Sequence, residues 1–163
     1  MKKIICLILS SFLLLSSIGC SGYKPIFGSS NLNFEIADYS LSGDKKLSQQ
    51  IYNKLNIASQ TDEKSFVNSI IIDINVSKTK QATVKNSAGK VLEYKITLVT
   101  EVNIQDLKNN NKILIEDSSF TLSYTVQDQI SDTIKYENKT ELDLINKTTQ
   151  NLLIKLKEYF ANE

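Results

Sequence analysis

Three long stretches in which apolar and polar residues alternate constrain this chain more than any other feature. Successive residues of a strand point to opposite faces, so the pattern predicts strands with one covered face and one wet face. Turn-forming residues at 86–89 and 109–111 separate the stretches, and we therefore expect an antiparallel meander. The apolar positions are Ile70, Ile72, Ile74 and Val76; Leu92, Tyr94, Ile96, Leu98, Val102 and Ile104; and Leu114, Phe120, Leu122, Tyr124 and Val126.

Segments with the residue spacing of amphipathic helices lie before and after these strands in the sequence. Residues 33–39 predict a short strand, and residues 44–56 predict a helix that Asp44 caps. The C-terminal thirty residues or so keep one apolar stripe, which predicts a long last helix capped by Ser131 or Asp132. The order is β-α-β-β-β-α, and two amphipathic helices can cover one sheet face. We predict an α+β two-layer sandwich, with a four-stranded, mostly antiparallel sheet covered on one face by two helices.

The N-terminus has the three-part layout of an export signal. Lys2 and Lys3 precede a short apolar run, and Ser17-Ile18-Gly19-Cys20 follows it. This pattern predicts a lipoprotein signal peptide over 1–19, a lipid on Cys20 that anchors the chain to a membrane, and a lipidated tether over 20–32. An ordinary secretory signal with an incidental cysteine is the alternative. Residues 33–163 are long enough for a single domain.

The composition argues against most catalytic chemistry. The chain has no histidine, and Cys20 is the only cysteine after the predicted cleavage, so histidine bases, thiol catalysis and the usual zinc ligands are missing. We therefore expect no enzyme, no cofactor and no metal site. Cleavage would also reduce the 19 lysines to 17 against 18 acidic residues, and this near-neutral balance disfavours nucleic acid as a partner.

Lysines collect in the hairpin between the first two alternating stretches. Glu93 is the one acidic residue among them. By parity, Lys78 and Lys80 lie on the core side but past the end of the core, followed by Ala82 and Val84, so we expect the hairpin to project beyond the helices. Ammonium groups beside apolar side chains suit an amphiphile with a phosphorylated head and acyl chains. The alternative is a solvated hairpin whose lysines discourage aggregation. The hairpin lysines are Lys78, Lys80, Lys85, Lys90 and Lys95.

Several segments together resemble LptE, the family of lipopolysaccharide-assembly lipoproteins also called rare lipoprotein B, and most closely its alphaproteobacterial branch. The segment 19–28, Gly-Cys-Ser-Gly-Tyr-Lys-Pro-Ile-Phe-Gly, is similar to the opening of that family. The helix from Leu47 to Leu55, the hairpin from Ala82 to Glu93-Tyr94, Ser123-Tyr124, and the helix end at 151–156 are similar in order and spacing.

This resemblance implies a role as the plug of the outer-membrane barrel LptD, with help in the assembly of that barrel and in the delivery of lipopolysaccharide. It places lipopolysaccharide contacts near Lys85 or Lys90 and near Lys135, and it implies a Cys20 carrying several acyl chains such as palmitate. Ser21 after the cysteine favours the periplasmic side of the outer membrane. An auxiliary lipoprotein of a lipid-transport ABC system is the alternative.

Overall fold

The computed structural model describes residues 34–59, 68–107 and 112–161. The predicted signal peptide, Cys20 and the tether lie outside these residues, so the predicted domain boundaries stay predictions. The described elements follow the predicted order β-α-β-β-β-α, which confirms the α+β class. The elements are β1 (Phe34–Gly43), α1 (Lys45–Ser59), β2 (Asn68–Lys85), β3 (Val91–Asp106), β4 (Lys112–Thr125) and α2 (Ile130–Ala161).

The four strands lie side by side in the order β1-β2-β3-β4. β1 runs parallel to β2, whereas β2 with β3 and β3 with β4 are antiparallel pairs. A parallel pair needs a crossover connection, and α1 lies in the connection between β1 and β2. The sheet is therefore mostly antiparallel, as the sequence predicts.

The core lies between one face of this sheet and both helices. In β2, buried Ile70, Ile72, Ile74 and Val76 alternate with less buried neighbours, as predicted from parity. Burying one such side chain fully stabilises the fold by about 1.5–3 kcal/mol. Residues of both helices belong to the same cluster, so the two-layer arrangement is confirmed. The helical members are Leu47, Ile51 and Leu55 of α1 and Leu144, Ile145, Leu152 and Leu156 of α2.

The junction between β1 and α1 depends on two residues. Gly43 has a φ of 70°, and a Cβ added there would overlap the carbonyl oxygen of Val76. The Asp44 N–H donates to that same oxygen at 2.7 Å. The Asp44 side chain accepts from the Leu47 N–H at 3.2 Å, so the predicted N-cap of α1 is confirmed. The strand and the helix extend to Gly43 and Ser59, beyond the predicted ends at 39 and 56.

The predicted cap of the last helix is wrong, because α2 begins at Ile130, before Ser131 and Asp132. Both residues lie within its first turn, where the Asp132 carboxylate favours the positive end of the helix dipole. The loop before the helix is held by Thr133, whose hydroxyl accepts from the Gln127 N–H at 2.9 Å. In the described ranges, no helix combines the length and apolar character that a membrane span requires.

The turn between β2 and β3 is confirmed at residues 86–89. The Asn86 carbonyl accepts from the Gly89 N–H, and its side chain accepts from the N–H groups of Ala88 and Lys90, at 2.9–3.0 Å. Gly89 has a φ of 82°, which favours glycine at this position. The second predicted turn, at 109–111, lies outside the described residues.

The predicted alternation fails at the end of β2. The pairing register with β3 shifts between Ala82 and Val84, and Val84 pairs with Glu93 rather than continuing the even-numbered core side. Glu93 belongs to the odd-numbered outer face of β3, where its carboxylate accepts from the Thr83 hydroxyl at 2.7 Å. The expectation of a core-side Val84 is therefore wrong, because a β-bulge changes the parity.

Candidate functional site

The core-side lysines of β2 meet two carboxylates of α2. The Lys78 Nζ lies 2.6 Å from Glu141 Oε1, and the Lys80 Nζ lies 2.6 Å from Glu137 Oε2. Lys78 and Lys80 are two residues apart on a strand and share a face, whereas Glu137 and Glu141 are four apart on a helix and share a stripe. Strand β2 and helix α2 are therefore linked by two successive ion pairs.

Two tyrosines complete this group, which we call the hairpin–helix cluster (Lys78, Lys80, Tyr94, Tyr124, Glu137 and Glu141). The Tyr124 hydroxyl donates to Glu137 Oε2 at 2.8 Å. The Lys80 Nζ lies 4.5 Å from the centroid of the Tyr94 ring and 5.6 Å from that of Tyr124, within cation–π range. The two rings stack at 5.8 Å on neighbouring strands. The Lys80 ammonium group therefore contacts Glu137, Tyr94 and Tyr124.

These contacts change the proton affinities of the cluster. Burial disfavours the charged form of Glu137, but hydrogen bonds from Lys80 and Tyr124 and the charges of Lys80 and Lys78 outweigh it, so the pKa of Glu137 is lowered. Burial likewise works against charge on Lys80, but its bond to Glu137 outweighs burial and its pKa is raised. Burial and the Glu137 carboxylate raise the pKa of Tyr124. Lys80 and Glu137 are therefore both charged near neutral pH.

The cluster lies at one end of the surface formed by the hairpin and the N-terminal turns of α2, which we call the groove. Ile130 and Ile134 continue the stripe of Glu137 and Glu141 toward the helix N-terminus, and the hairpin runs in the same direction beyond Lys80. Ile130 is 79% exposed and Ile134 is 52% exposed, although both belong to the core-facing stripe. Leu92, whose carbonyl accepts from the Val126 N–H in the segment before α2, is 38% exposed. The groove therefore offers apolar side chains to solvent next to a charged cluster.

The remaining predicted lysines lie at the hairpin turn and on α2. Lys85 is the last residue of β2, Lys90 directly precedes β3, and Lys135 lies in the second turn of α2; all three are exposed. Within the described ranges, none of the three has a carboxylate partner. Lys135 is two residues from Glu137 and so points away from the hairpin. Their ammonium groups are therefore available to a ligand, but the fold does not gather them at one point.

The expectation that the hairpin projects beyond the helices is only partly right. The ion pair with Glu137 shows that α2 still accompanies β2 at Lys80, and the first turns of α2 continue toward the hairpin tip, where the side chains of residues 81–90 are exposed. The sequence interpretation missed Glu137 and Glu141 as partners of Lys80 and Lys78. Two carboxylates four residues apart, on the stripe that Leu144 continues into the core, are the signal that could have found them.

The charged and apolar side chains of this region suit the binding of an amphiphile. Among the described residues, no group of three or more potential ligands lies close enough to hold a metal ion. The ion pairs of the cluster lie near the exposed Ile130 and Ile134, and the hairpin turn carries lysines that have no carboxylate partner among the described residues. Such a surface can bind phosphate through ammonium groups and hydrocarbon through the isoleucines.

Three solved structures show similar architectures. A Caulobacter crescentus protein described as a lipoprotein is 12% identical, with 76% of this chain and 90% of that chain covered, and a TM-score of 0.54. An uncharacterized lipoprotein B from Nitrosomonas europaea is 11% identical, with 77% and 85% covered, and a TM-score of 0.51. The rare lipoprotein B from Shewanella oneidensis is 15% identical, with 77% and 95% covered, and a TM-score of 0.48.

The two matches with TM-scores above 0.5 show that this chain shares their fold. The two structures with TM-scores above 0.5 are both lipoproteins by description, and each is covered over most of its length. The structural neighbours of this chain therefore include rare lipoprotein B and other lipoproteins, at low sequence identity. No protein-family profile and no curated protein matches the sequence.

Proposed function

We propose that this chain is an outer-membrane lipoprotein of the LptE type, which plugs an LptD-like barrel, assists its assembly and contacts lipopolysaccharide during delivery to the outer leaflet. The observation that carries the proposal is the groove, in which exposed Ile130 and Ile134 adjoin a lysine-bearing hairpin within a lipoprotein fold. Lipopolysaccharide has both the phosphates and the acyl chains that this chemistry would bind.

The lysines divide into two classes in this proposal. Lys78 and Lys80 already have carboxylate partners, so a phosphate would have to displace Glu141 or Glu137 to reach them. Lys85, Lys90 and Lys135 are exposed and meet no such competition from the described residues. We therefore assign first contact with phosphate to the unpaired class and a structural role to the paired class.

The outer face of the sheet supports the plug role. Thr79, Thr97 and Thr121 form one row across β2, β3 and β4, with a hydrogen bond of 3.0 Å between the hydroxyls of Thr97 and Thr121. Within the described residues, neither helix packs on this face. The lumen of an outer-membrane barrel is polar and hydrated, and hydroxyl side chains suit such surroundings. Lipid on Cys20 would hold the domain at the periplasmic side.

Binding of purified lipopolysaccharide to the full mature chain tests the lipid contact. The triple variant Lys85→Glu, Lys90→Glu, Lys135→Glu is expected to weaken binding at least tenfold, because three attractive charges become repulsive. The matched control is Lys45→Glu, Lys46→Glu, Lys157→Glu, which makes the same charge change at exposed positions away from the groove. An equal loss of binding in both variants would indicate a general effect of charge. Unchanged binding in the first variant would mean that these lysines are ordinary solvated surface residues.

Copurification from native envelopes in mild detergent tests the barrel partner. The proposal expects a large outer-membrane barrel in near one-to-one ratio with the lipoprotein. Recovery of an inner-membrane ABC transporter instead would favour the alternative, an auxiliary lipoprotein of lipid transport. A Cys20→Ala chain, exported by another signal, is expected to retain the barrel, because recognition would reside in the domain and the lipid would position it.

A further inference from the structure

Among the described residues, one edge of β4 has no neighbouring strand and exposes a regular row of backbone groups. The Val126 N–H donates to the Leu92 carbonyl at 2.9 Å, so the even-numbered residue at this pair faces β3. Backbone direction alternates along an antiparallel strand, and the pairing of β3 with β4 stays regular from Glu93 to Ile104. The odd-numbered residues therefore direct both N–H and C=O away from the sheet. They are Ser119, Thr121, Ser123 and Thr125.

Glu116 and Asp117 place charges in the first half of β4, but its second half lacks the features that usually protect a terminal strand. Residues 118–125 contain no charged residue, no proline and no glycine, and the strand has no bulge in that segment. The opposite edge differs: β1 carries Glu35 and Asp38 and has a bulge between Ile36 and Asp38. Among the described residues, the open part of the sheet edge is therefore the second half of β4.

The flank of α2 beside this edge carries two exposed apolar side chains among polar ones. Tyr136, Lys147 and Ile154 lie on one helical stripe. The Lys147 Nζ lies 4.9 Å from the centroid of the Phe120 ring on β4. The opposite flank of the helix faces β1, because Phe160 stacks with Phe34 at 6.1 Å. Tyr136 is 48% exposed and Ile154 is 49% exposed, so the open edge has a partly apolar wall along its helical side.

The geometry points to an extended, uncharged segment of a partner protein, which adds to β4 as a fifth strand. A repeating row of N–H and C=O groups is complemented by another extended backbone. Gln127 already supplies such a donor at one end, where its side-chain Nε2 donates to the Thr125 carbonyl at 3.1 Å. The bound segment would direct apolar side chains toward Tyr136 and Ile154 and small polar ones toward the outer sheet face.

A second copy of this chain fits the edge less well. α2 runs along β4, with contacts at Glu116, Phe120 and Tyr124. Pairing two copies edge to edge would bring the two α2 helices toward the strand spacing of about 4.8 Å. Packed helices need about 8–10 Å. A segment that carries no helix on that face avoids this conflict. The surface is separate from the groove, and its occupant is a polypeptide rather than a lipid.

Amide hydrogen exchange of the full lipoprotein tests this inference. In the chain purified alone, the even-numbered amides of residues 118–125 are expected to exchange slowly and the odd-numbered ones quickly. In the assembly extracted from native envelopes in mild detergent, all of these amides are expected to be slow, which would about double the protected fraction of this segment. Residues 68–76 of the inner strand β2 provide the internal reference and are expected to be protected in both samples.

A pair of variants at one position separates backbone pairing from side-chain contact. Ser123→Pro removes an outward N–H without touching a bond to β3, and edge strands tolerate proline. Ser123→Ala keeps that N–H. We expect Ser123→Pro to lose the added protection and the copurifying polypeptide, and Ser123→Ala to keep both. If the proline variant fails to fold, amide exchange of the wild-type chain in its isolated and extracted forms still tests the inference.

Four results would overturn the inference. The first is equal exchange of β4 in the isolated and extracted forms, and the second is a lipoprotein that extracts alone. The third is slow exchange of the odd-numbered amides in the dilute isolated chain, which would mean that other residues of the same chain cover the edge. The fourth is protection that rises with the concentration of purified chain, which would identify a second copy.

Discussion

Removing the carboxylate of Glu137 measures how much the hairpin–helix cluster stabilises the fold. Glu137→Gln keeps the shape of the side chain but removes its charge. The Lys80–Glu137 pair is short, at 2.6 Å, and its side chains are 36% and 23% exposed, so the ion pair is expected to contribute about 0.5–1 kcal/mol. The Tyr124 hydroxyl also loses a charged acceptor, which costs about 0.5–1 kcal/mol more.

The expected decrease in unfolding free energy is therefore about 1–2 kcal/mol. With a urea m-value of about 2 kcal/mol/M, the unfolding midpoint should fall by about 0.5–1 M. The assay is equilibrium urea unfolding of the mature chain at pH 7, followed by far-ultraviolet circular dichroism. A double-mutant cycle with Lys80→Met separates the ion pair from the hydrogen bond and should give a coupling energy of about 0.5–1 kcal/mol.

The chain contains a matched control for this measurement. Lys155 and Glu158 lie 3.8 Å apart with side chains 42% and 63% exposed, so Glu158→Gln is expected to change stability by less than about 0.5 kcal/mol. A coupling energy near zero between Lys80 and Glu137 would refute the reasoning, because it would mean that solvent competes as well for the cluster as for the surface pair.

Three further predictions concern pH, backbone and core. The stability difference between wild type and Glu137→Gln should stay constant from about pH 6 to 9. It should shrink as acid protonates Glu137 below its ordinary pKa of 4.5 and as base deprotonates Lys80 above its ordinary 10.5. Gly43→Ala should lower the melting temperature strongly, because the added methyl meets the backbone of β2, whereas Gly89→Ala, in open space, should cost only about 1 kcal/mol of strain. Leu152→Ala, at a fully buried position, should cost about 2–5 kcal/mol in urea unfolding, against less than about 1 kcal/mol for Ile154→Ala.

Local patterns predicted most of the fold. Parity along β2 and β3 identified their core-facing residues, because a strand with one buried face repeats every two residues whatever its partners are. Asp44 and the turn at 86–89 were likewise readable, since a cap and a tight turn need particular side chains within a few residues. The start of α2 was misplaced because Ser131 and Asp132 suit a first turn as well as a cap.

The site was less predictable, because its contacts join residues far apart in the chain. Lys78 and Lys80 were identified by parity, but their partners are more than fifty residues away on α2. The bulge near Val84 is defined by the pairing of β2 with β3, and the sequence of β2 alone does not predict it. The open edge of β4 follows from the strand order, which depends on how four strands share one core.

The sequence by itself therefore determined the element types, the buried faces and the lysine-rich hairpin, since each depends on short-range periodicity. Within the part of the chain that the structure describes, tertiary packing decided which lysines are paired with carboxylates, which have no such partner, and which strand has no neighbour. Those outcomes depend on helix α2 lying along β4 and reaching the hairpin, and only packing over the whole sheet sets that position. The alternating strands thus specify the sheet and its buried face. The elements that pack beside and on these strands specify the binding surfaces.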